Sequence, residues 1–257
     1  MSVGASALAM VAYMTNEELL AAACPIINEL GSAFYFIPET GAIGKELGLG
    51  GMEFYVQGRG GQLGDTDGLA VAAAFGYFNP SLIQSVWDAA CAKVSPRAAG
   101  TAHMLACANL GRAKLSSVAN IDALAAALAK VNNAADPDGL ALYAAIATEP
   151  LPSDAPGQVM QLIAVLREFR GSAHLVALRA AGIDSKTAHA SKRPDMWKQF
   201  GYPEDEMPTI DDAVKAKMAA AEALTDAIVA PAYAVLNDAE RQTVATGLQA
   251  VKAALTA

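Results

Sequence analysis

Arg167, Arg170 and His174 stand at i, i+3 and i+7 in a stretch, 158–181, whose apolar periodicity reads as a helix. At 100° per residue the three fall within about 60° of one another, so one stripe carries two guanidinium groups and an imidazole. Ile163 and Leu178 lie at its two ends. An apolar arc of Leu162, Leu166, Phe169, Ala173 and Val176 borders the stripe, and Gln161, Glu168, Ser172 and Arg179 form the most solvent-like arc. That arrangement puts the stripe at the rim of the core, where a groove forms. It predicts binding of an anionic or polar ligand, because planar guanidinium groups suit bidentate contacts with carboxylate or phosphate. The competing expectation is structural: the two arginines tie this helix to acids of a neighbour, such as Asp88, Glu149 or Asp226. His174 is the catalytic candidate, since a neighbouring Arg170 lowers its pKa and keeps the imidazole neutral and basic near pH 7.

Other residues can complete such a site. The segment 58–65 is the most glycine-rich of the chain and reads either as a plain flexible turn or as a loop that delivers Arg59 to a ligand. It lacks the Lys-Ser/Thr of a phosphate loop and the spacing of a dinucleotide fingerprint. Phe36, Tyr77 and Phe78 are candidates for the wall of a pocket, in balance with ordinary core packing. Asn79 can hydrogen-bond a ligand, although its place before Pro80 makes it a helix N-cap first. His103 and His189 have no histidine or acid at ligand spacing, so no metal site is expected. No Gly-x-Ser-x-Gly supports a serine nucleophile. Cys24, Cys91 and Cys107 are odd in number and widely spaced, which reads as free thiols of a reducing compartment.

The elements that must hold these residues are mostly helical. The 257 residues are 54% hydrophobic and only 17% charged, with much of the apolar content supplied by alanine, the best helix former. Residues 1–14 are apolar but lack a basic segment, so they read as a poor signal peptide, and no stretch reads as a membrane span. A cytoplasmic protein is expected. A net charge of -8 repels nucleic acid phosphates unless a local patch overcomes it. The low charged fraction also suits a homodimer that buries part of its surface.

Helix starts are marked at Thr15 to Glu18 by a capping box, at Asn79-Pro80, Ser95-Pro96 and Asp136-Pro137 by a cap before proline, and Asn237 to Glu240 starts the last helix. Asn120 or Asp122 opens an alanine-rich helix to Val131. Thr209 to Asp212 resembles a capping box for a helix reaching Val229. About ten helices follow. Residues 34–37 and 52–57, short and aromatic or β-branched between glycine and proline, read as a small hairpin or as isolated strands. The linker chemistry of 151–157 suggests two helical lobes, 1–150 and 151–257.

Taken together, Phe36-Ile37-Pro38-Glu39, the 58–64 segment, Phe75 to Pro80, Leu166 to His174, Ala181-Gly182 and Ala230 to Tyr233 carry a resemblance. The chain resembles a family of actinobacterial proteins with a helix-turn-helix, winged-helix-like fold, over nearly its whole length from about Pro25. Members of that family typically carry a histidine before the second arginine and an acid after the glycine. Phe169 and Ser172 stand there in this chain. The resemblance implies a winged-helix-like C-terminal half, with 184–208 where two short helices would be. Between Asp184 and Lys217, however, six Lys/Arg face seven Asp/Glu. A module that reads a DNA groove usually presents a basic face.

These readings favour a small-molecule-binding protein of specialised metabolism. In it Arg59, Arg167 and Arg170 orient an anionic group, His174 hydrogen-bonds it, and Phe36, Tyr77 and Phe78 wall it, with no cofactor identified. The alternatives are a winged-helix transcriptional regulator, an enzyme with His174 as general base, and a tetrapyrrole carrier ligated by His174.

Overall fold

The computed structural model describes residues 13–256, so the signal-peptide reading of 1–14 falls, except for its last two residues, outside them. Twelve α-helices are formed among the described residues. The N-terminal part contains α1 (Asn16–Leu30), α2 (Pro38–Glu46), α3 (Gly51–Gly60) and α4 (Gly68–Phe75). The middle contains α5 (Pro80–Cys91), α6 (Pro96–Lys114), α7 (Ile121–Ala134) and α8 (Ala141–Ile146). The rest is α9 (Ala155–Ala180), α10 (Ser185–Lys192), α11 (Asp212–Tyr233) and α12 (Asp238–Thr256). No helix among the described residues is long and apolar enough to cross a membrane.

Capping chemistry sets most boundaries. Thr15 and Glu18 close a reciprocal capping box, Asn79 accepts from the Ser81 N–H, and Asn237 and Glu240 bond each other's backbone N–H groups. Two expected starts are displaced. Asp136 bonds the Asp138 N–H in a local turn, and the next helix waits until Ala141. In place of Thr209, Asp211 caps α11 by accepting from the Val214 N–H, and the helix runs on to Tyr233.

The expected strands and wing are absent from the described residues. Residues 34–37 continue a turn after α1, and 52–57 lie within α3. The glycine-rich segment is likewise no loop: Arg59 sits in the last turn of α3, and a single 3-10 turn, Gly61–Leu63, follows. Glycine serves close packing there. A Cβ on Gly58 would stand 2.7 Å from the His103 Cβ, and one on Gly61 would stand 2.1 Å from the Pro96 carbonyl oxygen. Aromatic and β-branched content, a strand signal in isolation, here fills the side of α3 that lies against α6 and α5.

α9 is the organising element. It packs against α1, α6, α7, α8 and α11, and its buried residues are distributed all round its axis. Five consecutive apolar residues, Leu162 to Leu166, are buried, as expected for a helix at the centre of a bundle. The main hydrophobic core draws on residues from Leu19 to Val251, so chain segments on both sides of 151–157 pack into it.

Candidate functional site

Because α9 is central, the arc that reads as solvent-facing in the sequence is mostly buried. Glu168 is 1% exposed, Gln161 and Ser172 are buried with it, and Val176 on the apolar arc is exposed instead. Glu168 becomes the anionic centre of a buried network. Arg59 clamps it from α3 in bidentate geometry, Nε to Oε1 at 2.9 Å and Nη2 to Oε2 at 2.8 Å. Tyr35 donates to Oε1 at 3.0 Å, and Arg167 donates to the same oxygen at 2.7 Å. Desolvation alone would raise the carboxyl pKa, but the charges of Arg59 and Arg167 and these hydrogen bonds outweigh it and hold the group well below the usual carboxylate range. The Arg59 guanidinium also lies 4.2 Å from the centre of the Phe75 ring.

The second member of the stripe is also paired. Arg170 Nη2 donates to Glu222 and Asp226 of α11, each at 2.9 Å. That is the helix-tying role anticipated for Asp226. Its Nε, by contrast, is buried without a partner.

His174 bonds on both sides. Thr225 gives its hydroxyl proton to the Ala221 carbonyl at 2.7 Å, so the 2.8 Å contact between His174 Nδ1 and Thr225 Oγ1 requires Nδ1 to carry the proton. Nε2 then accepts from Lys192 Nζ at 3.2 Å. Burial pushes the imidazole pKa down to about 4, with Lys192 the next contributor and Arg170 a lesser one. The ring is therefore neutral near pH 7, and its free lone pair is already engaged.

These groups border a cleft of about 250 Å³. Its floor is α9 from Arg167 to Leu175. One wall is the turn after α4, and the other is α10 with Arg193 and Phe200. Gly76 and Tyr77 both adopt positive φ, 62° and 61°, in the first wall. Only glycine fits at 76, where a Cβ would meet Leu175 Cδ2 at 2.4 Å, and the left-handed Tyr77 is a costly conformation held by its surroundings. The turn aims Tyr77 into the cleft and seats Phe78 against Phe200, with rings parallel and 4.0 Å apart. His189 stacks on the other side of Phe200 at 4.1 Å, and its buried Nε2 has no partner.

Of the residues singled out in the sequence, Arg59, Arg167, Arg170, His174, Tyr77 and Phe78 meet at this cleft. Phe36 does not; it is 68% exposed and packs edgewise beside Tyr35 and over Tyr55. Asn79 is outside as well, capping α5 while its amide donates to the Gly201 carbonyl. Sequence reasoning missed Glu168, Tyr35, Lys192 as a partner of His174, Glu222 and the stacked His189. The uninterrupted apolar run 162–166 was the available signal that α9 has no solvent face. No group of three or more His, Cys, Asp or Glu among the described residues is placed to hold a metal ion.

A family model described as a helix-turn-helix family matches residues 21–257. The chain belongs to that helix-turn-helix family. No curated protein and no solved structure matches it. Locally, α9, the turn 181–184 with Gly182 at φ 71° and the short α10 form a helix, a tight turn and a second helix. Where two short helices were expected in 184–208, α10 is followed by two 3-10 turns, Pro194–Met196 and Glu204–Glu206.

Proposed function

We propose that this helix-turn-helix family member binds a small organic anion in the cleft above α9. The observation that carries this reading is the local charge. Five cationic side chains, Arg59, Arg167, Arg170, Lys192 and Arg193, line the cleft, and Glu168 is the one carboxylate beside them in its wall. Glu222, Asp226 and Asp195 pair with three of these cations from just outside. Each cation is thus ion-paired, but five cations share four carboxylates, an excess of one positive charge in a chain whose net charge is -8. A concave, mostly apolar site with a few convergent polar groups is the usual form of a small-molecule site. Native mass spectrometry of the purified protein tests the proposal, together with melting-temperature shifts by organic anions at low salt. A bound anion, or a shift that high salt suppresses, is expected. An empty protein whose melting no anion alters would overturn it.

Family membership favours a second reading, DNA binding by the C-terminal half. The charges there give it little support. Five of the six Lys/Arg between Asp184 and Lys217 are ion-paired: Lys186 to Glu206, Lys192 to Glu222, Arg193 to Asp195, Lys198 to Glu204 and Lys215 to Asp212. Phosphate contacts would have to displace those partners. A mobility-shift assay against random and upstream duplexes at moderate salt separates the readings, and a retarded band would favour DNA. General-base catalysis by His174 is the weakest, because a pKa near 4 and the Lys192 contact leave little basicity at Nε2.

A further inference from the structure

Many glycines of this chain are required by their neighbours, as at 58, 61 and 76, where a Cβ would collide with adjacent atoms. Gly171 is different. It lies inside α9, where glycine weakens a helix relative to alanine. Yet a Cβ built there meets nothing nearer than Glu168 Oε2 at 3.9 Å, and its backbone is ordinary helix. Helix packing therefore gives no reason for a glycine at this position.

The cleft gives one. Seven residues of α9 line it, from Arg167 to Leu175. At 100° per residue they span an arc of about 200°, and Gly171 falls at its centre. The missing side chain is what hollows the floor. Around that hollow, buried polar atoms lack partners: Ser172 Oγ, Arg170 Nε and His189 Nε2, with Ser172 7% and His189 2% exposed. Unpartnered buried polar atoms are costly, and three residues around one cavity that each carry one fit a site completed by a polar ligand.

We infer that Gly171 is the floor of the ligand site and sets its specificity, and that the ligand is a small planar aromatic monocarboxylate seated against it. This rests on the anion-binding reading above. The size follows from the cleft, whose 250 Å³ is below the roughly 300–1,000 Å³ of sites for drug-sized molecules. The flat aromatic body follows from the walls, where Tyr55, Phe75, Phe78 and Phe200 supply ring surface. The single negative charge matches the excess of one, five cations against the four carboxylates that pair with them. A carboxylate accepts hydrogen bonds only, which suits the Arg170 and Ser172 donors.

Calorimetric titration of the full chain with benzoate and, separately, with inorganic phosphate tests this, using wild type, Gly171→Ala and Gly171→Leu. Wild type is expected to prefer benzoate, Gly171→Ala to weaken it about tenfold, and Gly171→Leu to abolish it. Both variants should melt at or above the wild-type temperature, which separates lost binding from lost folding. Unchanged benzoate affinity in Gly171→Leu would overturn the role of Gly171 and leave the anion site standing. Phosphate binding without benzoate binding would overturn the aromatic class alone. A lower melting temperature for Gly171→Ala would show that packing does need the glycine. Wild type that binds neither anion would remove both this inference and its support.

Discussion

Replacing Glu168 by Gln should be among the most damaging isosteric changes in this protein. The carboxylate accepts four hydrogen bonds, two from Arg59 and one each from Tyr35 and Arg167, and is 1% exposed. Glutamine keeps the shape but removes the charge, and it turns an NH2 group towards guanidinium donors. Arg59, with its side chain only 10% exposed, is left as an uncompensated buried cation. Breaking one side of a buried pair costs about 3–5 kcal/mol. The Arg167 contribution is smaller, because its side chain is 22% exposed and water screens it. For a chain of this length each kcal/mol corresponds to roughly 2–4 °C in melting temperature. Urea unfolding monitored by circular dichroism measures the loss directly. Double replacement, Arg59→Met with Glu168→Met, should recover much of it, since apolar side chains of similar size replace buried pairs at little cost. A Glu168→Gln loss under about 1 kcal/mol, or a double variant as unstable as the sum of the two singles, would refute this account of the network.

Three further outcomes are expected. Burial holds His103 at about 3 and His174 at about 4, whereas in the unfolded chain both titrate near 6.5. The unfolded state then binds more protons across that window, so stability present above pH 6.5 is lost as pH falls, by about 3–5 kcal/mol between pH 7 and 4.5. Urea midpoints at the two pH values check this, and a flat profile contradicts it. Thr225→Val leaves the Nδ1 proton of His174 buried without an acceptor and should cost about 1–3 kcal/mol; the imidazole 15N shifts should report a changed tautomer. Gly61→Ala forces a Cβ into the Pro96 carbonyl oxygen and should destabilise by about 1–3 kcal/mol or more, so a neutral result in a thermal melt would disprove the close packing of the 3-10 turn after α3 on α6.

The local chemistry of helix ends was legible residue by residue. Thr15, Asn79 and Asn237 mark starts in the sequence and start helices in the structure, because a cap is satisfied by atoms two or three residues away. Alanine content and the charge balance likewise determined the helical class and weighed against a phosphate-reading face. The partners of the stripe were not legible. Whether Arg170 meets Asp226 or Asp88 depends on which helix lies alongside, a choice that only the packed bundle makes. The assignment of Glu168 to solvent failed for the same reason: helical periodicity assumes one wet face, and α1, α6, α7, α8 and α11 all pack against α9. Segment 52–57 reads as a strand from its aromatic and β-branched residues, yet it lies in α3, whose Gly58 and Gly60 pack closely against His103 and against Val71 and Trp87. The sequence by itself determined which side chains are charged and how they are spaced. The tertiary structure decided which of those charges meet, and at the cleft above Gly171 it sets five cations against four carboxylates.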